Sequence, residues 1–328
     1  MNVTNETMTT YFIIRGISDV PVLQLPIFLL VLLIYLLTLG GNKTILLLVC
    51  LEPQLHTPMY FFLCNLSIMD ISYSTVSLHK VLISFLTGDK TVSVPGCMSQ
   101  MFIFTSLVCN ELLILTAMSY DRYVAICNPL RYSAVMSPGV CAVLAGACWT
   151  LGFVASIPNT IVISRFTCYK TKEINHFFCD LVPLVKLSCN DNSLSEFLMF
   201  ICGLFFATIP FLLTFIPYVF IVQTILNIRT GKQKAFYTCS SHITVVILLY
   251  LTLIYQYMRP ASKDTLDSNK FSSLFNTAAV PMLNPLIYSL KNKDVKSALR
   301  RRWYQMTAQL EKRNRLAIEQ KAQKHQKC

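Results

Sequence analysis

Along this chain, charged residues gather in short clumps separated by long apolar runs. No charge occurs from Val20 to Asn42. The second run, Pro53 to Leu78, is broken only by Asp70, and the third, Thr91 to Tyr120, only by Glu111. Four more lie between Tyr132 and Ser164, Phe197 and Ile228, Ala235 and Met258, and Phe271 and Leu290. About 20 apolar residues in a helix cross a bilayer, and each run is long enough for a tilted helix. The runs lack the period-2 alternation of barrel strands, so helices are the remaining way to satisfy the backbone in lipid. The pattern predicts an all-α bundle of seven transmembrane helices. No internal repeat is visible, which argues against transporter folds built from duplicated halves.

Composition agrees. The chain has 328 residues, 54% hydrophobic and 13% charged, against about 25% charged in soluble domains. The net charge of +12 does not signal nucleic acid, because the bases crowd into the tail: Lys291, Lys293, Lys296, Arg300, Arg301, Arg302, Lys312, Arg313, Arg315, Lys321, Lys324 and Lys327. The segment before the first run holds only Arg15. The positive-inside rule puts the tail in the cytoplasm, although without it the outer loops would be the more basic. The sequons at Asn2 and Asn5 independently fit a glycosylated outer amino terminus. Those at Asn42 and Asn65 fall inside spans and are read as chance. The start has neither a basic n-region nor a compact h-region, so no cleaved signal peptide is expected. The chain divides into an extracellular segment (1–24), a membrane bundle (25–290) and a cytoplasmic tail (291–328).

Cys97, Cys168, Cys179 and Cys189 fall in or beside outer segments, where disulfides can form. Four cysteines allow three pairings, and spacing does not choose among them. Cys50, Cys109 and Cys202 fall within spans and read as packed thiols. His56, His79, His176, His242 and His325 show no metal-ligand spacing. No nucleophile–base pair stands out, and no enzyme is expected.

The stretch MSYDRYVAIC (118–127) ends the third run with Asp121 beside Arg122. An ionised side chain at the bilayer centre costs roughly 3 kcal/mol or more, but in this topology the pair sits at the cytoplasmic interface. The stretch resembles the Asp-Arg-Tyr motif of rhodopsin-like G-protein-coupled receptors, and PMLNPLIYSLKN (281–292) resembles their Asn-Pro-x-x-Tyr motif. LHTPMYFFLCNLSIMD (55–70), KAFYTCSSH (234–242) and CYKTKEINHFFCDLVPLVKLSC (168–189) narrow the resemblance to vertebrate olfactory receptors, in order over about residues 10 to 303. The sequence departs from that family at Lys43, at Pro217, in LLYLTLIYQY (248–257) and in its longer tail.

The resemblance implies a receptor for a small volatile odorant that raises cAMP through a stimulatory, olfactory-type heterotrimeric G protein, in the plasma membrane. A rhodopsin-like receptor for another small metabolite, and then a transporter, are the alternatives. It implies disulfides Cys97–Cys179 and Cys168–Cys189. It assigns activation to Asp121, Arg122, Tyr123, Tyr218, Asn284, Pro285 and Tyr288. Ligand contacts are expected from Phe104, Thr105, Val108, Cys109, Cys202, Phe206, Tyr250, Leu253, Ile254, Tyr257, Leu274 and Thr277. Phe104, Val108 and Glu111 share a helical face, as do Tyr250, Leu253, Ile254 and Tyr257. Asp70 and Glu111 are acids within spans. They read either as a site for an allosteric sodium ion, the sole cofactor envisaged, or as interhelical polar contacts worth about 1 kcal/mol each. Asn42 and Asn284 are candidates to join them. Val295, Leu299 and Trp303 recur every four residues among bases, predicting a short amphipathic helix on the anionic inner leaflet. The charged, Gly-free remainder, EKRNRLAIEQKAQKHQKC, is open to a helical or a disordered form and reads as a solvated tail. Partners are therefore odorant, G protein and membrane lipids, with no nucleic acid.

Overall fold

A computed structural model describes residues 10–189, 193–227, 232–257, 270, 272–291 and 293–326. Side chains of 232–238, 241, 256–257, 289–291, 293, 306, 310, 312 and 314–326 are outside the description, as are Asn2 and Asn5. The long helices are α1 (Pro21–Leu51), α2 (Pro58–Thr87), α3 (Val94–Cys127), α5 (Pro138–Ser164), α7 (Ser193–Asn227) and α8 (Lys232–Tyr257). The last part of the bundle is a π-helical turn (Phe275–Ala279) running into α9 (Val280–Lys291). Short helices α4 (Tyr132–Val135) and α6 (Leu181–Leu187) lie in loops, and α10 (Lys293–Gln326) follows α9. Among the described residues, five helices (α1, α2, α3, α5 and α7) are long and apolar enough to cross a membrane, and α8 holds a shorter apolar stretch, His242–Tyr255.

Local chemistry sets the ends. Pro58 and Pro138 open α2 and α5 in the first turn, where a missing N–H costs nothing. Ser93 caps α3 by accepting from the Gly96 amide at 3.2 Å. Gly88 ends α2 in the left-handed region, at φ +74°. Within the fourth run the long helix begins at Pro138, where Ser137 and Pro138 start it.

The chain is mostly helical, and it also carries one small sheet. β1 (Tyr11–Ile14) pairs antiparallel with β2 (Thr91–Ser93) and parallel with β3 (Glu173–Ile174), in the order β2-β1-β3. Phe12 and Ile14 point inward and are buried, while Tyr11 is exposed. Strands this short are set by their neighbours rather than by their own alternation. One helix, α10, runs through the amphipathic stretch and on to Gln326, the helical form of the tail that the sequence leaves open. Its sequence has no Gly or Pro and is rich in strong helix formers.

The core lies mainly among α2, α3, α5 and α8, with Phe62, Leu66, Leu78, Ile114, Leu115 and Met118 fully enclosed. The outer surface of α1 and α7 is exposed leucine, isoleucine, valine and phenylalanine, as a lipid-facing surface requires. Lys43 lies on that exposed face of α1.

Candidate functional site

The loop between α5 and α7 forms a roof over one end of the bundle. Cys97 of α3 is bonded to Cys179, and Cys168 to Cys189. The Cys179 amide donates to Gln100 Oε1 at 3.0 Å. His176 Nε2 lies 3.2 Å from Ser273 Oγ, so the roof is pinned to α3 and to the residues just ahead of the π-helical turn. Phe177 and Phe178 pack with His176 in a buried aromatic cluster. Strand β3 ties the loop to the amino-terminal segment, where Arg15 Nε reaches Glu173 Oε2 at 3.0 Å.

Under α6 lies a cavity of about 340 Å³. α3 contributes Thr105, Val108, Cys109 and Leu112; α5 contributes Ala155 and Asn159; α6 contributes Leu181, Val182, Val185 and Lys186. The far walls are Glu196, Met199, Phe200, Cys202, Gly203, Phe206 and Ala207 of α7, with Tyr250, Leu253 and Ile254 of α8. Most of the lining is apolar. Burial holds the Lys186 ammonium below its ordinary value, and Glu196 partly opposes that. The buried Tyr250 hydroxyl makes no hydrogen bond of ordinary geometry, with Thr214 nearby.

Midway through the bundle, Asn284 Nδ2 donates to both oxygens of Asp70, at 3.0 and 3.1 Å. Glu111 is within electrostatic reach of Asp70, and both acids are buried. Glu111 Oε1 and Asn284 Oδ1 lack partners. Two orphaned acceptor oxygens, one carboxylate and one amide, beside the Asp70 carboxylate would fit a hard cation bound through oxygen. Asn42 turns elsewhere, donating to the carbonyls of Thr38 and Pro281 at 3.0 and 3.1 Å.

At the carboxy-terminal end of α3, Asp121 accepts from the Tyr132 hydroxyl of α4 at 2.8 Å. Burial, reinforced by Asp121, raises the Tyr132 phenol above its ordinary value and keeps it a donor. Arg122 is half-buried, and its Nε has no hydrogen-bond partner. Tyr218, His242 and Tyr288 all feel its charge. Tyr218 OH and His242 Nδ1 are 2.5 Å apart, joining α7 to α8.

Comparison with known proteins decides the family. A family profile described as Olfactory receptor matches residues 31–306. Olfactory receptor 8D1 of Homo sapiens is 46% identical over 303 residues, covering 92% of this chain and 98% of that protein. The chain belongs to the olfactory receptor family. Olfactory receptor 8B3 of Mus musculus is 45% identical over 299 residues, covering 90% of this chain and 94% of its own. Olfactory receptor 2G6 of Homo sapiens is 42% identical over 302 residues, covering 92% and 96%. This is a family of multi-pass plasma-membrane, G-protein-coupled receptors, not enzymes. Among the described residues, no group of three or more His, Cys, Asp or Glu side chains is arranged to hold a metal.

In this olfactory receptor fold, the expected ligand contacts Thr105, Val108, Cys109, Cys202, Phe206, Tyr250, Leu253 and Ile254 converge on one cavity. Phe104 is instead packed between Tyr73, on which it stacks, and the tilted ring of Phe178 beneath the roof. Leu274 and Thr277 lie outside the cavity lining, with Thr277 Oγ1 bonded to the Ser273 carbonyl. The Tyr257 side chain is outside the described residues. Sequence reasoning missed the contributions of α5 and α6. For Met199, Gly203 and Phe206 the helical spacing was legible, but nothing in LVPLVKL says that a loop folds back over the bundle. It also missed the Asp121–Tyr132 bond, which joins residues eleven apart across a turn.

Proposed function

We propose that the chain is an odorant receptor that takes small, mostly apolar volatile molecules into the cavity under α6 and relays binding to a stimulatory, olfactory-type G protein, raising cAMP. The observation that carries this reading is the cavity: about 340 Å³, mostly apolar, with Thr105, Asn159 and Tyr250 as scattered polar groups. That is the size and lining of a small-molecule site. Lys186 and Glu196 in its wall favour a second reading, a receptor for a more polar small metabolite.

In this reading α1, α2, α3, α5, α7, α8 and the π turn with α9 are the seven membrane spans. The disulfides and β1 lie at one end, and the basic α10 at the other. Disulfides persist outside the reducing cytosol, so the amino terminus, with sugar at Asn2 and Asn5, is extracellular. The stretch of α10 bearing the exposed Leu299 and Trp303 lies on the inner leaflet.

Agonist binding can shift the receptor only by as much as the agonist prefers the active state. Arg122, held beside Asp121 and facing Tyr218 and Tyr288, is the residue that would open toward the G protein. Tyr123, Asn284 and Pro285 frame its movement. Asp70, Glu111 and Asn284 would hold a sodium ion that favours the resting state.

The test is ligand-dependent cAMP in transfected cells exposed to a volatile panel, with surface staining as control. A saturable rise supports the reading. A well-expressed receptor indifferent to every volatile sinks it.

A further inference from the structure

We infer that apolar ligands reach the cavity from the bilayer, sideways through the seam between the outer halves of α7 and α8; this rests on the odorant-receptor reading of that cavity. The cavity walls differ in what lies behind them. Val108 and Leu112 of α3 and Ala155 and Asn159 of α5 line it and are no more than 8% exposed. Phe200 of α7 and Ile254 of α8 line the same cavity, yet are 58% and 46% exposed. A side chain that met only the cavity would be as covered as Val108. These two also face outward, on a surface of exposed leucine and phenylalanine.

The backbone of α7 allows this. Between Ser195 and Pro210 no residue of the helix is fully buried, so its outer half is only partly covered by its neighbours. Gly203 lines the cavity, and a Cβ built there would meet nothing within 4 Å. Lower down the seam is closed. The rings of Phe211 and Tyr250 pack edge to face at 5.2 Å, and Tyr218 meets His242 at 2.5 Å. The opening therefore lies at the depth of the outer acyl chains, where an apolar volatile is concentrated. Each methylene of a ligand raises its partition into hydrocarbon roughly fourfold.

A bilayer route and an aqueous route predict different kinetics. From the bilayer, lengthening the ligand raises the association rate per aqueous concentration. From water, it lengthens only the residence time. The probes are the straight-chain methyl ketones from hexanone to decanone, with real-time G-protein recruitment in living cells as readout. The expected result is an association rate that climbs several-fold along the series. Leu204 and Leu251, each next in sequence to a lining residue (Gly203 and Tyr250), are 41% and 62% exposed and do not line the cavity. Leu204→Trp and Leu251→Trp should slow onset and washout together, several-fold, leaving the half-maximal concentration nearly unchanged, because an equilibrium does not depend on the path. Association rates indifferent to chain length overturn the inference. So does a chain-length effect that neither tryptophan alters, which would place the opening elsewhere. A receptor answering other volatiles but none of these ketones also counts against it. Silence toward every volatile is the distinct failure of the odorant reading, and the route falls with it.

Discussion

His176 is 1% exposed, and burial pushes its imidazole from 6.5 down to about 3, with Lys270 adding to the shift. The folded receptor therefore holds this side chain neutral, stacked on Phe177 and meeting Ser273. The unfolded chain binds a proton below about 6.5 and the folded one does not, so stability is full above that value and falls as pH drops toward 3. The loss should reach about 2 kcal/mol by roughly pH 5. Thermal melts of purified receptor across that window check it. His176→Gln should flatten the dependence, and an unchanged slope would assign the acid sensitivity to another group. Tyr250 gives a second prediction at this scale. Removing its hydroxyl in Tyr250→Phe should cost about 1 kcal/mol toward ligands that hydrogen-bond to it, a several-fold loss of potency for alcohols and ketones. Hydrocarbons of the same shape should be unaffected; equal losses for both would point to a packing defect.

Among the elements, α10 is the one whose seat can be read contact by contact. Glu52, 4% exposed between α1 and α2, receives Arg302 Nε at 2.5 Å and Arg301 Nη1 at 3.4 Å. Arg302 Nη2 also donates to the Leu51 carbonyl at 2.6 Å. Deleting one partner leaves a covered carboxylate poorly matched. Arg302→Ala should cost about 1–2 kcal/mol, the range for a partly screened charged hydrogen bond. The loss should show as faster amide exchange in the first turns of α10; protection equal to wild type would mean that apolar contacts alone seat the helix. Most of the helices were legible in the sequence because each carries its own signal: a charge-free run, a proline in the first turn, a capping serine. The sheet and α6 were not. Phe12 and Ile14 face inward only because β2 and β3 flank them, and Leu181–Leu187 looks like any apolar run until a disulfide folds it over the cavity. For the same reason α3 and α8 positions of the site could be named from spacing, whereas Ala155, Asn159 and Val185 could not.

The whole molecule joins a cavity under the disulfide-bonded roof, a buried polar centre at Asp70 and Asn284, and a cluster around Arg122 at the far end of α3. If the three act as one device, Arg122→Ala should silence signalling while leaving surface expression and ligand binding intact. Asp70→Asn should remove any fall in agonist potency as sodium replaces potassium, since an ion that prefers the resting state must oppose the agonist. Both outcomes depend on ligand binding in the cavity, and that claim has a direct test. Gly203 lines the cavity with open space beside it, so Gly203→Phe fills the site without a backbone clash. Dose–response curves for cAMP should be measured for wild type and Gly203→Phe at matched surface levels, over a panel of volatiles. The account predicts a saturable wild-type response that is lost in the filled variant, most completely for the bulkiest ligands. Wild-type potency in a well-expressed Gly203→Phe receptor would contradict it.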